Sequence, residues 1–161
     1  MTVTPREMRD AMGCFATGIT VITALDAAGR PVGLTVNSFN SVSLEPPLVL
    51  FSLDRRANCA NAFGEGKPFA VNVLGVGQQA ESNHFASKAE DKFADIPFEW
   101  QAGRNGCAML DSAIASFECV AEAIHDGGDH IIIIGRVTHL NQVEGQSPLL
   151  YFQGRYAEID G

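Results

Sequence analysis

The sequence lacks any cluster of positive charge. Its 161 residues contain 11 Lys and Arg against 19 Asp and Glu, a formal net charge of −8. The basic residues are scattered, and Arg55-Arg56 is their only adjacent pair. Nucleic acids and anionic membranes are bound through concentrated positive charge, so the sequence predicts neither as a partner.

Cysteine and histidine spacings typical of metal sites are also missing. The cysteines are far apart in the chain, at Cys14, Cys59, Cys107 and Cys119. The histidines, at His84, His125, His130 and His139, form no HExxH or similar pair. These spacings argue against a zinc site and against a redox dithiol. We therefore expect no metal and reduced, mostly structural thiols.

Long hydrophobic runs are absent too. The densest apolar run, Ile131 to Ile134, is far shorter than the roughly 20 residues that a membrane helix needs. The N-terminus has no apolar secretory core, which predicts a cytoplasmic protein. With 46% hydrophobic and 19% charged residues, the chain is typical of one globular domain over residues 1–161.

Common catalytic signatures are not found, because the sequence has no GxSxG, no P-loop and no GxGxxG after a strand. The remaining feature is the uncharged stretch from Pro31 to Leu44. Read as one strand, it places Leu34, Val36, Val42 and Leu44 on one face and hydroxyl and amide side chains on the other. Such groups suit the edge of a heteroaromatic ring. They can equally satisfy neighbouring backbone, and the stretch alone favours this second interpretation.

The rest of the chain predicts a mainly β fold. A capping box, Thr4 to Glu7, begins a helix over about residues 5–16. Strands are expected from Ile19 to Thr23, in a hairpin with the uncharged stretch, and at 48–53, 69–74, 114–124 and 130–140, with short helices at 57–63 and 78–86. Residues 86–106 read as an extended surface loop. Many strands without a βαβ repeat indicate a closed antiparallel barrel with small helices outside it.

Five segments in register carry a family resemblance. They are FATGITVITA (15–24), GLTVNSFNSVSLEPPLVLFSL (33–53), FAVNVL (69–74), GDHIIIIGRV (128–137) and PLLYFQGRY (148–156). Together they closely resemble the flavin reductase-like family, above all the reductase components of two-component flavin-dependent monooxygenases. The resemblance implies a split antiparallel β-barrel of Greek-key type, which is usually a homodimer. It also implies FAD or FMN as cofactor and NADH or NADPH as co-substrate.

The resemblance further implies two sets of site residues. The flavin contacts would be Thr35, Asn37, Ser38, Ser41, Ser52, Asn58, Cys59, Phe85, Ala86, Ser87 and Lys92. Cys59 stands where the family commonly has a threonine. The nicotinamide contacts would be Asp129 and His130 of the Gly-Asp-His motif, together with Tyr156. No catalytic acid or base is expected, since hydride transfer from nicotinamide to flavin is carried by the cofactors themselves.

The implied activity is NAD(P)H:flavin oxidoreduction that supplies reduced flavin to a separate oxygenase, expected to act on an aromatic substrate. Two alternatives stay open at this point. One is a flavin-binding or flavin-carrying module without turnover. The other is a split-barrel oxidase of the pyridoxamine-phosphate oxidase type, for which the loop offers few cations.

Overall fold

The computed structural model describes residues 2–159, and its largest element is a seven-stranded antiparallel sheet. In chain order the elements are α1 (Pro5–Met12), β1 (Thr17–Gly18), β2 (Thr20–Leu25), β3 (Pro31–Val36), β4 (Asn40–Leu44), β5 (Pro47–Asp54), a 3-10 turn (Ala60–Ala62), β6 (Pro68–Val73), α2 (Gln79–Ala86), β7 (Trp100–Ala102), β8 (Ala108–Leu110), β9 (Ala115–Gly127), β10 (His130–Gln142), β11 (Leu150–Phe152) and β12 (Arg155–Ala157). The strand order of the large sheet is β3-β2-β6-β9-β10-β5-β4. The mainly β prediction is confirmed.

The first helix is shorter than its apolar spacing predicts. Its capping box is present: the Thr4 hydroxyl accepts from the Glu7 N–H at 3.2 Å, and the Glu7 carboxylate accepts from the Thr4 N–H at 2.8 Å. The helix ends at Met12 rather than near residue 16. Gly13 follows, and Thr17 already pairs with β11, so the chain must leave the helix before that point.

The longest hairpin follows its sequence prediction. Strands β9 and β10 pair from His130↔Gly127 to Gln142↔Ala115. Gly128 takes φ +77° in the turn between them, a conformation that glycine adopts without a steric penalty. A bulge falls at Ile134 and Gly135, where a Cβ would overlap the Phe69 ring. Glycine is therefore required at 135 for the barrel to close over its aromatic core.

The uncharged stretch is two strands, so the one-strand prediction is wrong. Strand β3 ends at Val36 and β4 begins at Asn40, and the two form opposite edges of the seven-stranded sheet. Their expected common apolar face does not exist, because Val36 is 9% exposed while Leu44 is 93% exposed. Alternation over a few residues cannot reveal that the chain crosses from one edge to the other between them.

Aromatic packing positions the segment after α2. The Phe93 ring lies 5.3 Å from that of Phe85 and 5.2 Å from that of Trp100. Trp100 belongs to β7, which pairs with β8, so the predicted loop over 86–106 contains a strand. The helix expected at 57–63 is a single 3-10 turn. Strands β1, β11 and β12 form a further small sheet that the sequence prediction did not include.

The four cysteines are free thiols. Cys107 and Cys119 are fully buried, and burial raises the pKa of both thiols to about 12. Both are therefore protonated at neutral pH, as expected for structural thiols. Within residues 2–159 no helix is long and apolar enough to cross a membrane.

Candidate functional site

A cleft of about 630 Å³ opens between β3, the end of β5 and the end of α2. We call it the Lys92 cleft. Its lining residues are Leu34, Thr35, Asp54, Arg56, Ala57, Asn58, Cys59, Phe85, Ala86, Ser87, Lys88 and Lys92. The volume falls within the range of about 300–1,000 Å³ that is typical of cofactor sites.

Positive charge exceeds negative charge among the residues that line this cleft. Lys92 donates from Nζ to the Phe85 carbonyl at 2.7 Å, and burial lowers the pKa of its ammonium group. Arg56 is held by Asp54, with Nη2 and Oδ2 3.0 Å apart. Hydrogen bonds from Arg56 lower the pKa of Asp54 to about 2, so this carboxylate stays ionised. With Lys88, three cations and one anion line the cleft, an excess that suits a phosphate group.

The loop that carries Lys92 is fixed to the rest of the cleft. The Lys92 carbonyl oxygen lies 2.6 Å from Nε2 of His84 on α2, and the Asn58 side chain donates to the Lys88 carbonyl at 3.4 Å. Cys59 also lines this cleft. Burial raises the pKa of its thiol, although the charge of Lys92 acts in the opposite direction.

A second cleft, of about 680 Å³, lies on the other side of a shared wall formed by Thr35 and Ala86. We call it the Tyr156 cleft. The Thr35 hydroxyl donates to the Ser82 carbonyl at 2.6 Å, which fixes the wall to α2. The other residues that line the Tyr156 cleft are Ile19, Val36, Asn37, Gln79, Ser82, Asn83, Tyr151, Gly154, Arg155 and Tyr156.

Neutral polar groups dominate the Tyr156 cleft. The Tyr156 hydroxyl donates to Oδ1 of Asn83 at 2.6 Å and lies 2.9 Å from the Ser82 hydroxyl. The Tyr151 and Tyr156 rings meet edge to face, with centroids 5.9 Å apart. Among residues 2–159, Arg155 is the one charged side chain that lines this cleft.

The turn between β9 and β10 reaches the rim of the Lys92 cleft through β5. His130 is the register partner of Asp54, a cleft residue, and its Nδ1 lies 2.6 Å from the Asp129 carboxylate. Arg55 ties the turn in place, because its Nε donates to the Gly128 carbonyl at 2.9 Å and its guanidinium pairs with Asp126. His130 therefore sits beside the cleft on a fixed backbone.

The structure brings many of the predicted site residues together. Those that line the Lys92 cleft are Thr35, Asn58, Cys59, Phe85, Ala86, Ser87 and Lys92. Asn37 and Tyr156 line the Tyr156 cleft instead. Asp129 and His130 lie at the rim.

Three serines predicted to contact the flavin line neither cleft. The Ser38 hydroxyl accepts from the Ser52 N–H at 2.9 Å and donates to the Ser52 carbonyl at 3.2 Å. This pair joins the β3–β4 crossing to β5, as the backbone-satisfying interpretation expects. Ser41 is exposed on β4 and lines neither cleft.

Asp54, Arg56 and Lys88 were not among the predicted site residues. Asp54 and Arg56 fall in the charged triplet Asp54-Arg55-Arg56, directly after a predicted strand and before Asn58. A run of charges at a strand end next to a predicted binding loop is the signal that could have found them.

The chain matches a known protein family. A family model described as "Flavin reductase like domain" matches residues 12–160. The chain belongs to the flavin reductase-like family. The family and the split β-barrel fold predicted from the sequence are confirmed.

Relatives in this family are named for flavin reduction. A probable flavin reductase of Rhizobium meliloti (strain 1021) is 47% identical over 152 residues, which cover 94% of this chain and 48% of that protein. The reductase subunit HsaB of a flavin-dependent monooxygenase from Rhodococcus jostii (strain RHA1) is 40% identical over 98% of this chain and 80% of that protein. The chain thus spans about half of the Rhizobium relative and most of HsaB.

Solved structures of flavin reductases have the same fold as this chain. The NADH:FAD oxidoreductase SgcE6 of Streptomyces globisporus superposes with a TM-score of 0.91 at 33% identity, over 100% of this chain and 98% of that one. At this similarity, the flavin reductase-like barrel of the present chain keeps the strand arrangement of SgcE6.

Proposed function

We propose that this chain is an NAD(P)H-dependent flavin reductase that supplies reduced FAD or FMN to a separate monooxygenase component. The observation that carries the proposal is the Lys92 cleft, which places Arg56, Lys88 and Lys92 beside the neutral wall of β3 in a chain of this family. Flavin reductases among its relatives include the FMN reductase (NADH) SmoA of Agrobacterium fabrum, 40% identical over 96% of this chain.

The cleft fits the chemistry of a flavin nucleotide. Such a nucleotide combines a planar ring with an anionic phosphate. Leu34 and Ala57 give the cleft apolar surface, Asn58 gives it an amide, and Lys92 and Arg56 give it positive charge. We assign the phosphate to the two cations, which bind it by charge-assisted hydrogen bonds.

Residues of β3 and its continuation hold the ring. Thr35 fixes the wall through Ser82 and keeps its hydroxyl oxygen free to accept a further bond. Asn37 offers an amide at the wall's other side. A neutral wall is suited to a ring whose charge changes in the reaction. The Ser38 hydroxyl supports this wall indirectly, because it hydrogen-bonds to the Ser52 backbone and so joins the β3–β4 crossing to β5.

The reaction itself needs position rather than an acid or base. A flavin held in the Lys92 cleft would supply the hydride acceptor and reduced nicotinamide the donor, so the two cofactors would carry that chemistry. The chain must hold donor and acceptor within about 3–3.5 Å of each other. We assign the nicotinamide to the rim at His130, whose imidazole is oriented by Asp129. Tyr156 closes the neighbouring cleft from the C-terminal hairpin.

Mixing the purified protein with NADH or NADPH and free FAD or FMN tests the activity. We expect catalytic loss of the reduced-nicotinamide absorbance that depends on both added flavin and protein. A flavin carrier would bind flavin and leave NADH unconsumed. An oxidase of the pyridoxamine-phosphate type would turn over its amine substrate without NADH. Either result would overturn the proposal.

The homodimer is a proposal supported by an uncovered apolar face. Helix α1 buries none of its residues, and Met8, Met12 and Phe15 are exposed, Phe15 by 67%. Next to it, Met12, Phe15 and Tyr151 line a groove of about 580 Å³. A second copy of the chain covering this face would remove that apolar area from water. Light scattering should give twice the chain mass for the wild type and less for Phe15→Asp.

The partner and the location complete the proposed function. We infer an oxygenase component that receives reduced flavin and acts on an aromatic substrate, as the names of relatives such as the trigonelline monooxygenase reductase component of Acinetobacter baylyi suggest. That relative is 38% identical, and this chain spans 48% of it. A cytoplasmic location stays a prediction from the sequence.

A further inference from the structure

His84 lies near the end of α2 and has no part in the reaction described above. Its side chain is partly buried, and its Nε2 lies 2.6 Å from the Lys92 carbonyl oxygen. A carbonyl oxygen can only accept a hydrogen bond, so Nε2 must carry the proton in this contact. The imidazole is therefore a donor to the backbone of the residue that we assign to the flavin phosphate.

The His84 ring also contacts two phenylalanine rings. Its centroid lies 5.2 Å from that of Phe85 and 5.5 Å from that of Phe98, and both contacts are edge to face. Lys92 and Phe98 belong to residues 87–99, which join α2 to β7 and which we call the Lys92 segment. His84 thus contacts this segment twice, once by a hydrogen bond and once by aromatic packing.

Few other hydrogen bonds attach the Lys92 segment to the barrel. Among residues 2–159, no backbone-to-backbone hydrogen bond reaches residues 88–98. The side chains from outside the segment that bond to its backbone are His84 and Asn58. The Asn58 bond, at 3.4 Å, is longer than most hydrogen bonds. The position of Lys92 therefore depends strongly on His84.

The end of α2 holds Lys92 at two points. Its carbonyl accepts from His84, and its Nζ donates to the carbonyl of Phe85, the next residue of the helix, at 2.7 Å. An ammonium group has three donors, so two remain for phosphate oxygens. Backbone and ammonium group are thus both placed before any ligand binds.

We propose that His84 is a positioning residue for the flavin phosphate, because it holds the Lys92 backbone so that the ammonium group stays in the Lys92 cleft. The inference rests on the proposed function, since it assumes that the phosphate binds at Lys92. His84 does not line the cleft itself, so it acts through Lys92. Without its N–H, flavin binding would have to order the lysine and its backbone, and this entropy cost would lower the affinity.

Two substitutions separate the donor from the ring. His84→Phe keeps an aromatic ring beside Phe85 and Phe98 and removes the N–H, whereas His84→Gln removes the ring and keeps an N–H donor. The matched control is His139→Phe, at an exposed position of β10 that lines neither cleft. Circular dichroism checks that each variant is folded.

Fluorescence titration then gives the dissociation constants for FMN and for riboflavin, which is FMN without its phosphate. We expect His84→Phe to bind FMN about three- to tenfold more weakly than the wild type, the range of one neutral hydrogen bond, and to bind riboflavin equally well. His84→Gln and His139→Phe should bind both ligands as the wild type does. Adding His84→Phe to Lys92→Ala should cause no further loss of FMN affinity, because His84 acts through Lys92.

Equal FMN affinity in the wild type and His84→Phe, or a parallel loss of FMN and riboflavin, would overturn the inference. An equal loss of FMN affinity in His84→Gln would also overturn it, because the ring and not the donor would then matter. His84→Met, which lacks a donor as well, replaces His84→Phe if that variant does not fold. With each of these results, NADH oxidation in the presence of FMN would leave the proposed reductase function standing. A wild type without flavin binding or turnover would remove both.

Discussion

The Lys92 cleft and the Tyr156 cleft share a wall and differ in charge. Thr35 and Ala86 line both. The Lys92 cleft has three cations and one carboxylate among its lining residues, whereas the Tyr156 cleft has amides, two tyrosines and one cation, Arg155. Net charge, rather than polarity, therefore distinguishes the two surfaces. A ligand with an anionic end and a neutral ring system would use the first for its phosphate and the shared wall for its ring.

A hydrogen bond that could not be predicted from the sequence motif fixes the shared wall to α2. The Thr35 hydroxyl is engaged by the Ser82 carbonyl of α2 at 2.6 Å. The same helix supplies Asn83 to the Tyr156 cleft and Phe85, the carbonyl partner of Lys92, to the other cleft. One short helix thus positions both surfaces.

Removing the half-buried cation Lys92 should have the largest effect. Lys92→Ala should weaken flavin binding by about 1.5–3 kcal/mol, the scale of a hydrogen bond to a charged group. A flavin titration measures it. Lys67→Ala is the control, because Lys67 is an exposed lysine that lines neither cleft. Equal flavin affinity in the wild type and Lys92→Ala would show that the greater positive charge of the Lys92 cleft does not bind the flavin.

The same lysine predicts a pH dependence. Burial lowers the pKa of Lys92, so the ammonium form that binds phosphate is lost at a lower pH than for an ordinary lysine. Flavin affinity of the wild type should therefore fall as the pH rises toward that lowered pKa. The decline should disappear in Lys92→Ala, and an identical profile in that variant would assign it to another group.

The next largest effect concerns the rim. His130→Ala should reduce kcat/KM for NADH by about 1–3 kcal/mol, because a positioning contact is lost rather than a nucleophile. Flavin affinity should change little, since the flavin contacts lie mainly on the β3 wall. His139→Ala, at an exposed position further along β10, is the control. Normal NADH kinetics would remove His130 from the site, and a loss confined to flavin affinity would move it to the flavin.

Local patterns predicted the elements whose partners are close in sequence. The β9–β10 hairpin is one, because β-branched residues and the glycines of its turn lie next to each other in the chain. The crossing at residues 37–39 could not be predicted in this way. Ser38 bonds to Ser52, and β3 and β4 occupy opposite edges, so both features depend on the folded barrel.

The site divides differently. The family resemblance predicted Asn58 and Lys92, which meet in one cleft although they are far apart in sequence. Arg56 was missed although its partner is local, since the carboxylate that holds its guanidinium belongs to Asp54, two residues earlier. Ser41 belongs to the family motif, but it lies exposed on the edge strand β4. Its part in flavin binding stays a prediction.

A smaller effect is expected in the Tyr156 cleft. Asn37→Ala should weaken flavin binding by about 0.5–1.5 kcal/mol, the net contribution of one neutral hydrogen bond. Asn37 is exposed and lines the Tyr156 cleft, so the fold should be unaffected. Asn141→Ala, an exposed asparagine on β10, is the control. A measurable loss would show that the flavin ring extends past the Thr35 wall, and an unchanged titration would confine it to the Lys92 cleft.

The smallest effect is expected from the thiols. Replacing Cys14, Cys59, Cys107 and Cys119 together with alanine should change kcat/KM by no more than about twofold in the folded protein, because hydride transfer between two cofactors needs no thiolate. Burial raises the pKa of the three cysteines other than Cys14, so these three are protonated at neutral pH. Cys59 alone lines the Lys92 cleft. Steady-state kinetics and a flavin titration on the folded quadruple variant check the prediction, and a variant that binds flavin normally but no longer oxidises NADH would reveal a redox cysteine on the charged side of the wall.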